Sequence, residues 1–435
     1  MTEVIRGRIV HIEPEHLFIH NERGRFRVAI HRGEGNLALQ SGVDTAPEVS
    51  IGDIVEIKNG VSVTLTPNRT SKKTSHWLSR TLDPRRLRGV DIRSQVENGI
   101  REFFTSQGFR ETKTPLLVPC PGMEPHIRPF SIKSTYLKEN VGYIPTSPEF
   151  AMKRLLVGGL EKIFQICPAF RDEPQSVTHR PEFTILEWYR AYAGYEDIMK
   201  DTEELFEFLA LKIFKKPSFF FQGQEISVKT PWPRLKIRDL FKDMVGVDLV
   251  QASTPELLAK ECIRLGLLTA NEHSPKSPNW PDWDDMYFKI WLNLIEPKLP
   301  ANQAVFVTRY PASQAALSVI DTDPDGSRWA RRFEFYAGGL ELGNAFEELT
   351  DPIEQRTRFI KDMNLRTEIY GPEFPQNPLD EGFLNALSEG MPPSGGIAVG
   401  VDRMVMLYAD ESDIEFTSWL PFEIAQGTSG DGVGV

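Results

Sequence analysis

Three short segments, far apart in the chain, constrain its fold most strongly. They are FRDEPQSVTHRPEF at 170–183, RFEFYAGGLELGNAFEEL at 332–349 and GGIAVGVDRM at 395–404. In the first, Arg171 and Glu173 stand at i and i+2, on one side of an extended chain. A guanidinium there can grip a phosphate while the carboxylate accepts from an amino group. Phe183, just beyond, offers a flat apolar face for a purine. R-x-E alone would equally suit a surface ion pair. In the second, a two-residue turn at Gly338-Gly339 would place Tyr336 opposite Glu341, with Glu334 diagonal to it on the same face. Two converging carboxylates repel unless a cation lies between them, so this hairpin predicts a magnesium site; a solvated acidic face is the plain alternative. Phe333, Phe335 and Leu342 then face the other way. In the third, glycines allow close backbone approach to a ligand, and Arg403 follows at a helix start, where an anion is favoured.

The rest of the chain supplies the frame. VIRGRIVHIE, HLFIH, RFRVAIH, DIVEIKNG and VSVTLTP, within residues 1–67, are short runs rich in β-branched residues and broken by turn formers. They predict a small barrel of the oligonucleotide-binding type. Its aromatics, Phe18 and Phe26 (with His20 and His31 beside them), are expected to fill the barrel core rather than to stack on bases. Residues 68–90 read as a linker. Of the charged side chains between Arg69 and Arg88, seven are basic (Arg69, Lys72, Lys73, Arg80, Arg85, Arg86, Arg88) and only Asp83 is acidic. That is either a solvated connection or a docking surface for an acidic partner. Ile92, Val96, Ile100, Phe103 and Phe104 share one face of a helix that Gly108 ends. TKTPLLV reads as a strand held at an edge or interface by Pro115. PEFAMKRLLVGGL reads as a helix and IFQICPAFR as a strand. Residues 198–300 read as helical with a loose centre, in which HSPKSPNWPDWDD is a surface loop. FVTRY, RFEFYAG and LELGNAF read as strands and VDRMVMLYA as the last catalytic helix. The catalytic domain is placed at 91–426, with a disordered tail at 427–435.

Composition bounds the function. With 26% charged and 40% hydrophobic residues the chain is an ordinary globular one. A net charge of −11 argues against a protein that coats nucleic acid, though not against one local basic surface. Cys120, Cys167 and Cys262 are odd in number and far apart, which suits idle thiols in a reducing cytoplasm. No run of 18 apolar residues occurs, so no membrane span is expected.

Cations for phosphates, carboxylates for a metal and a slot for a base are what adenylate formation needs. Taken in order, the segments resemble motifs 2 and 3 of class II aminoacyl-tRNA synthetases, and the helix before TKTPLLV resembles motif 1. TSPEFAMKRLLVGG, FRDE, PEFTILEWYRAYAGYEDIM and LGNAFEELTDPIEQRTRF are similar to lysyl-tRNA synthetases. FVTRYPASQAAL, Ser147 and Ala398 resemble more closely their paralogue, the elongation factor P β-lysine ligase. The resemblance covers 90 to about 410. It implies an α+β class II catalytic domain, an antiparallel sheet flanked by helices, preceded by the small OB-like barrel, and a homodimer. It implies activation of lysine or β-lysine by ATP with Mg2+, and transfer to elongation factor P or, alternatively, to tRNA. By the same resemblance Arg171, Glu341 and Arg403 act in catalysis. Arg171, Glu173, Phe183, Leu342, Gly400 and Arg403 hold the nucleotide, and Glu334 and Glu341 hold magnesium. Ser147, Glu149, Glu187, Tyr189, Asn344, Glu348 and Ala398 line the amino-acid pocket, where three carboxylates can pair the two ammonium groups of a lysine isomer. Arg180, in place of the family's asparagine, and Ala345, in place of a glycine, depart from the pattern.

Overall fold

The computed structural model describes residues 4–13, 16–21, 24–29, 53–58, 61–66, 83–269 and 282–420. The chain divides into two units, Met1–Arg88 with Ser418–Val435, and Gly89–Thr417.

In the first unit, strands β1 (Val4–Glu13), β2 (His16–Asn21), β3 (Gly24–Ala29), β4 (Ile54–Lys58) and β5 (Val61–Thr66) form an antiparallel sheet in the order β3-β2-β1-β4-β5. A bulge between Ile9 and His11 bends β1, so that it can pair with both β2 and β4. This is the arrangement of an OB-like module. Its core is aliphatic: Ile9, Leu17, Ile19, Val55 and Ile57 are buried. The two phenylalanines part company. Phe26 pairs with the buried Ile19 on the core side, whereas Phe18 lies between Leu17 and Ile19, half-buried on the opposite face, paired with exposed Arg27. The expectation that both fill the core is therefore corrected for Phe18. His31 lies outside the described residues.

The linker expectation is also corrected at its end. Helix α1 (Pro84–Ser106) starts earlier than the hydrophobic period suggests. Pro84 is pre-set for a first helical turn, and Asp83 Oδ1 accepts from the Arg85 amide at 2.8 Å, an N-cap. Arg85, Arg86 and Arg88 are thus helical, and Arg86 is buried, donating to the Ser418 carbonyl at 2.7 Å. Arg69 to Arg80 lie outside the described residues, as does the tail.

The second unit is built on a nine-stranded sheet. Its strands are β6 (Arg110–Glu111), β9 (Lys162–Phe170), β10 (Glu182–Ala191), β13 (Arg234–Lys236), β14 (Val305–Pro311), β15 (Ile320–Thr322), β16 (Arg328–Ala337), β17 (Leu340–Glu347) and β18 (Ser394–Gly400). Their order is β13-β14-β16-β17-β18-β10-β9-β6, with β15 on β16. Only the end pairs β13–β14 and β6–β9 are parallel. The hairpin β7 (Ser131–Lys133) and β8 (Asn140–Tyr143) and helix α2 (Glu149–Val157) precede β9. TKTPLLV gives no regular strand, Pro115 having no amide to donate; Arg110–Glu111, just before it, pairs at the sheet edge, and Val118 makes a single bridge to Tyr143.

Period two decides which face of the sheet is buried. Leu186, Trp188, Ile397, Val399, Phe333, Phe335 and Ala345 point to one side. There they join Val96, Ile100 and Phe104 of α1, Phe206 and Leu209 of α3 (Tyr195–Phe214), and Met404 and Val405 of α9 (Val401–Ala409) in one core. The other face stays open as the floor of a cleft. One wall is α2 with α7 (Pro352–Tyr370) and α8 (Glu381–Gly390), packed through Phe150, Phe359 and Phe383.

Residues 198–300 are less helical than the sequence suggests. Ser218–Phe221 and Gln224–Ser227 form a hairpin, β11–β12, around Gln222 and Gly223, both at positive φ, and β13 joins the main sheet. Helices α4 (Ile237–Val245), α5 (Pro255–Arg264) and α6 (Trp283–Ile290) follow, with their own core of Phe241, Leu258, Tyr287 and Trp291. The acidic end of the expected surface loop begins α6: Asp282 and Asp285 make a reciprocal capping box. Residues 270–281 lie outside the described part. Among the described residues no helix is long and apolar enough to cross a membrane.

Candidate active site

Antiparallel register sets out the site row by row. Gln165, Glu187, Ala398, Asn344 and Glu334 are direct neighbours across β9, β10, β18, β17 and β16, on the cleft face. The adjacent row carries Tyr189, Gly396, Phe346 and Arg332. Gly396 is required here, because a Cβ would lie 2.3 Å from the Tyr189 ring and 2.4 Å from Glu348 Oε1.

A cavity of about 730 Å3 opens above this floor, within the range of small-molecule sites. Its lining brings together Ser147, Glu149, Arg171, Glu173, Phe183, Glu341, Leu342, Asn344, Ala398, Gly400 and Arg403. Glu187, Tyr189, Glu348 and Glu334 do not line it; they form a buried layer beneath.

At the nucleotide end, Arg171 and Glu173 lie just past β9, and the Arg171 guanidinium carbon is 5.1 Å from the centre of the Phe183 ring. Gly400 caps α9, and Arg403 stands in its first turn. Arg403 is held at three points: it donates to the Glu341 carbonyl at 2.8 Å, to the Thr178 carbonyl at 3.4 Å, and meets His179 Nε2 at 2.7 Å. His179 is a site residue that the sequence reading passed over. Loss of water around its ring and the Arg403 cation hold its pKa below the usual histidine range, so a neutral ring accepts from Arg403. Arg180 turns away. Though it borders the cavity, its guanidinium donates to the Ser176 carbonyl at 2.7 Å and pairs with Asp413 and Glu415, bracing the loop.

The hairpin turn brings Tyr336 opposite Glu341, as the two-glycine turn requires, and a bulge between Phe335 and Tyr336 sends Leu342 into the core. The two carboxylates differ, however. Glu334 is already satisfied: it accepts from Arg332 at 2.6 Å, from the Tyr310 hydroxyl at 2.6 Å and from the Tyr336 hydroxyl at 2.7 Å. Glu341 has no such partners among its described contacts. Desolvation first, then the Glu334 charge, raise its carboxyl to about 7, while Arg403 and Arg332 oppose the rise. A cation would relieve that strain. Among the described residues no three acidic or histidine side chains converge into a metal cage. One open carboxylate suits magnesium, which keeps its waters and is held largely by substrate phosphates. Arg332, which also donates to Asn344 Oδ1 at 3.0 Å, was not singled out from sequence.

At the amino-acid end, Ser147 Oγ accepts from the Glu149 amide at 3.0 Å and donates to Glu187 Oε1 at 2.5 Å. Tyr189 donates to Glu187 Oε2 at 2.9 Å. Burial, reinforced by the Glu149 charge, lifts Glu187 to about 8 against these donors. The picture of three carboxylates waiting for a substrate needs one correction. Lys153, one turn beyond Glu149 on α2, has its ammonium 2.5 Å from Glu149 Oε1 and 2.5 Å from Glu348 Oε2. Glu348 Oε1 is buried without a hydrogen-bond partner. The cysteines are idle: burial pushes the Cys120 and Cys167 thiols to about 12 and Cys262 to about 11.

Sequence similarity to known proteins gives the family. The family model for class II tRNA synthetases (D, K and N) matches residues 71–423. A lysine–tRNA ligase of Dehalococcoides mccartyi is 37% identical over 322 residues, covering 74% of this chain and 61% of the relative. One of Rhizobium meliloti is 33% identical over 451 aligned positions, covering 95% of this chain and 85% of the relative. One of Fervidobacterium nodosum is 36% identical, covering 77% and 62%. The match thus spans about three fifths of two of these relatives and most of the third. With the antiparallel sheet, the cleft and the three motif segments in place, the chain belongs to the class II tRNA synthetase family, in its D, K and N division.

Proposed function

We propose that the chain activates lysine, or a close isomer, as an adenylate and transfers it to tRNA. The observation that carries the first step is the meeting, in one cleft, of Arg171, Arg403 and Glu341 at one end with Ser147, Glu149 and the Glu187 layer at the other. The amino-acid carboxylate attacks the α-phosphorus of ATP, an O–P bond forms, the α–β bond breaks, and pyrophosphate leaves. Arg171 and Arg403 face the charge that develops on the phosphates. Phe183 offers its ring to adenine. Magnesium, bound with ATP beside Glu341, supplies further neutralisation of the phosphates. Glu149, on the cavity wall, pairs with a substrate ammonium group, and the buried Glu187 beneath adds its carboxyl to that end of the site. In the second step an acceptor attacks the acyl carbon and AMP departs.

For the acceptor, the relatives' names favour tRNA, and the barrel supports it. Phe18 and Arg27 share the face of β2 and β3 away from the core, with the guanidinium 6.0 Å from the ring, as a base-stacking platform needs. Ser147 and Ala398 favour the second reading, β-lysine transfer to elongation factor P. Incubating the full chain and ATP with lysine isomers, and with tRNA or elongation factor P, decides between them. Aminoacylated tRNA that falls at least about tenfold in Phe18→Ala is the expected result; labelling of elongation factor P alone would reverse the choice.

Ala398 stands between Glu187 and Asn344 on the cleft floor. A methyl group in a pocket discriminates by roughly 10–200-fold. Ala398→Gly is therefore expected to raise kcat/KM for α-lysine relative to β-lysine within that range. An unchanged ratio would place isomer selection elsewhere.

A further inference from the structure

The structure assigns to Lys153 the role of a resident cation that sets the charge of the amino-acid pocket and so its preference for a substrate with two ammonium groups. The inference rests on reading this pocket as the lysine site. Lys153 is 1% exposed, and its ammonium touches carboxylates from two separate elements, Glu149 on α2 and Glu348 just beyond β17. The charged groups around it are Glu149 and Glu348 in contact, with Glu124 and Glu187 farther off; the Tyr189 hydroxyl lies on the same side. Four carboxylates in so small a volume cannot all stay ionised without an internal cation.

Lys153 does two things there. It cancels one negative charge permanently, and it holds Glu348 through Oε2, leaving Oε1 without a partner. Burial lifts the Glu348 carboxyl to about 8, and Lys153 is the main influence holding it down. Without Lys153 the Glu348 carboxyl keeps its proton to a still higher pH. A neutral carboxyl no longer pairs a substrate ammonium, so lysine binding weakens. It recovers as rising pH removes the proton. Lys153 is thus a positioning residue, acting through Glu348 and Glu149.

The test compares wild type, Lys153→Met and Lys153→Arg in lysine-dependent ATP–pyrophosphate exchange from pH 6 to pH 9, with lysine binding followed by calorimetry. Lys153→Met is expected to raise the lysine KM at least about tenfold at neutral pH, with a smaller change in kcat. Its kcat/KM should go on climbing above pH 8, where wild type levels off, and Lys153→Arg should restore most of the lost affinity. Should Lys153→Met lower only the melting temperature, with KM and pH profile unchanged, the residue is merely structural and the proposal fails. Should Lys153→Met be too unstable to assay, Lys153→Gln, which keeps a donor and removes the charge, takes its place; an unaltered lysine KM and pH profile in that variant overturn the proposal. Wild type that binds no lysine at any pH overturns the functional reading and the proposal with it.

Discussion

Glu341→Gln is expected to lower lysine-dependent ATP–pyrophosphate exchange by about 10²–10³-fold or more while leaving the chain folded. Glu341 is the one carboxylate of the hairpin whose oxygens are not committed to neighbouring donors. The amide has nearly the same shape, so the β16–β17 register and the Leu342 bulge should survive. What disappears is the negative charge that a magnesium ion bound to phosphates would meet. Glu334→Gln is expected to behave differently. It disrupts the node of Arg332, Tyr310 and Tyr336 and leaves buried donors unpaired, so the melting temperature should fall along with activity. Stability against pH separates the two further. The folded Glu341 carboxyl, raised to about 7, binds a proton more readily than an unfolded one. Ligand-free wild type should therefore lose stability relative to Glu341→Gln as pH rises from the usual carboxyl range to about 7. Exchange near the wild-type rate in Glu341→Gln would show that the hairpin is only an acidic face.

The parts of this molecule legible in the sequence are those governed by short-range rules. The Gly338-Gly339 turn fixes Tyr336 against Glu341 within six residues, and the period of VDRMVMLYA gives α9 from Val401 to Ala409. Where apolar residues run without alternation, as in Leu17-Phe18-Ile19, period two cannot say which face is inside, and Phe18 was placed wrongly. Charge misleads in the same way. Arg86, within a stretch that reads as a solvated connection or a docking surface, is buried, and so is Lys153, to which the sequence reading gives no role; distant partners (Ser418, Glu348) satisfy them. The hairpin at 218–227 was lost in a helical context, its Gln222-Gly223 turn being the only local signal. Relations across the sheet, such as the row from Gln165 to Glu334, need register, which no single segment carries.

The pair Arg93–Asp402 is such a long-range relation, and it supports the largest expected loss of stability. Asp402 lies in the first turn of α9, beside Arg403. Its Oδ2 accepts from the Thr184 amide at 2.6 Å, and Oδ1 receives Arg93. Arg93, from α1, also donates to the Thr417 carbonyl at 2.6 Å and to Glu97 at 3.2 Å. Both side chains are 11% exposed. Four segments of the catalytic unit therefore meet at one ion pair. Asp402→Ala leaves a guanidinium buried without its carboxylate and the Thr184 amide without its acceptor. Removing one partner of a buried pair costs about 3–5 kcal/mol, which corresponds to a fall of roughly 4–7 °C in melting temperature for a unit of this size. Asp402→Asn keeps an acceptor for Thr184 and should cost less. Arg93→Ala together with Asp402→Ala should cost less than the two single losses added, because neither charge is then left alone. Activity should follow stability only in part: a looser α9 start displaces Arg403, so exchange falls even at temperatures where the variant is folded. Additive losses in the double variant would show that Arg93 and Asp402 stabilise the fold separately and not as a pair.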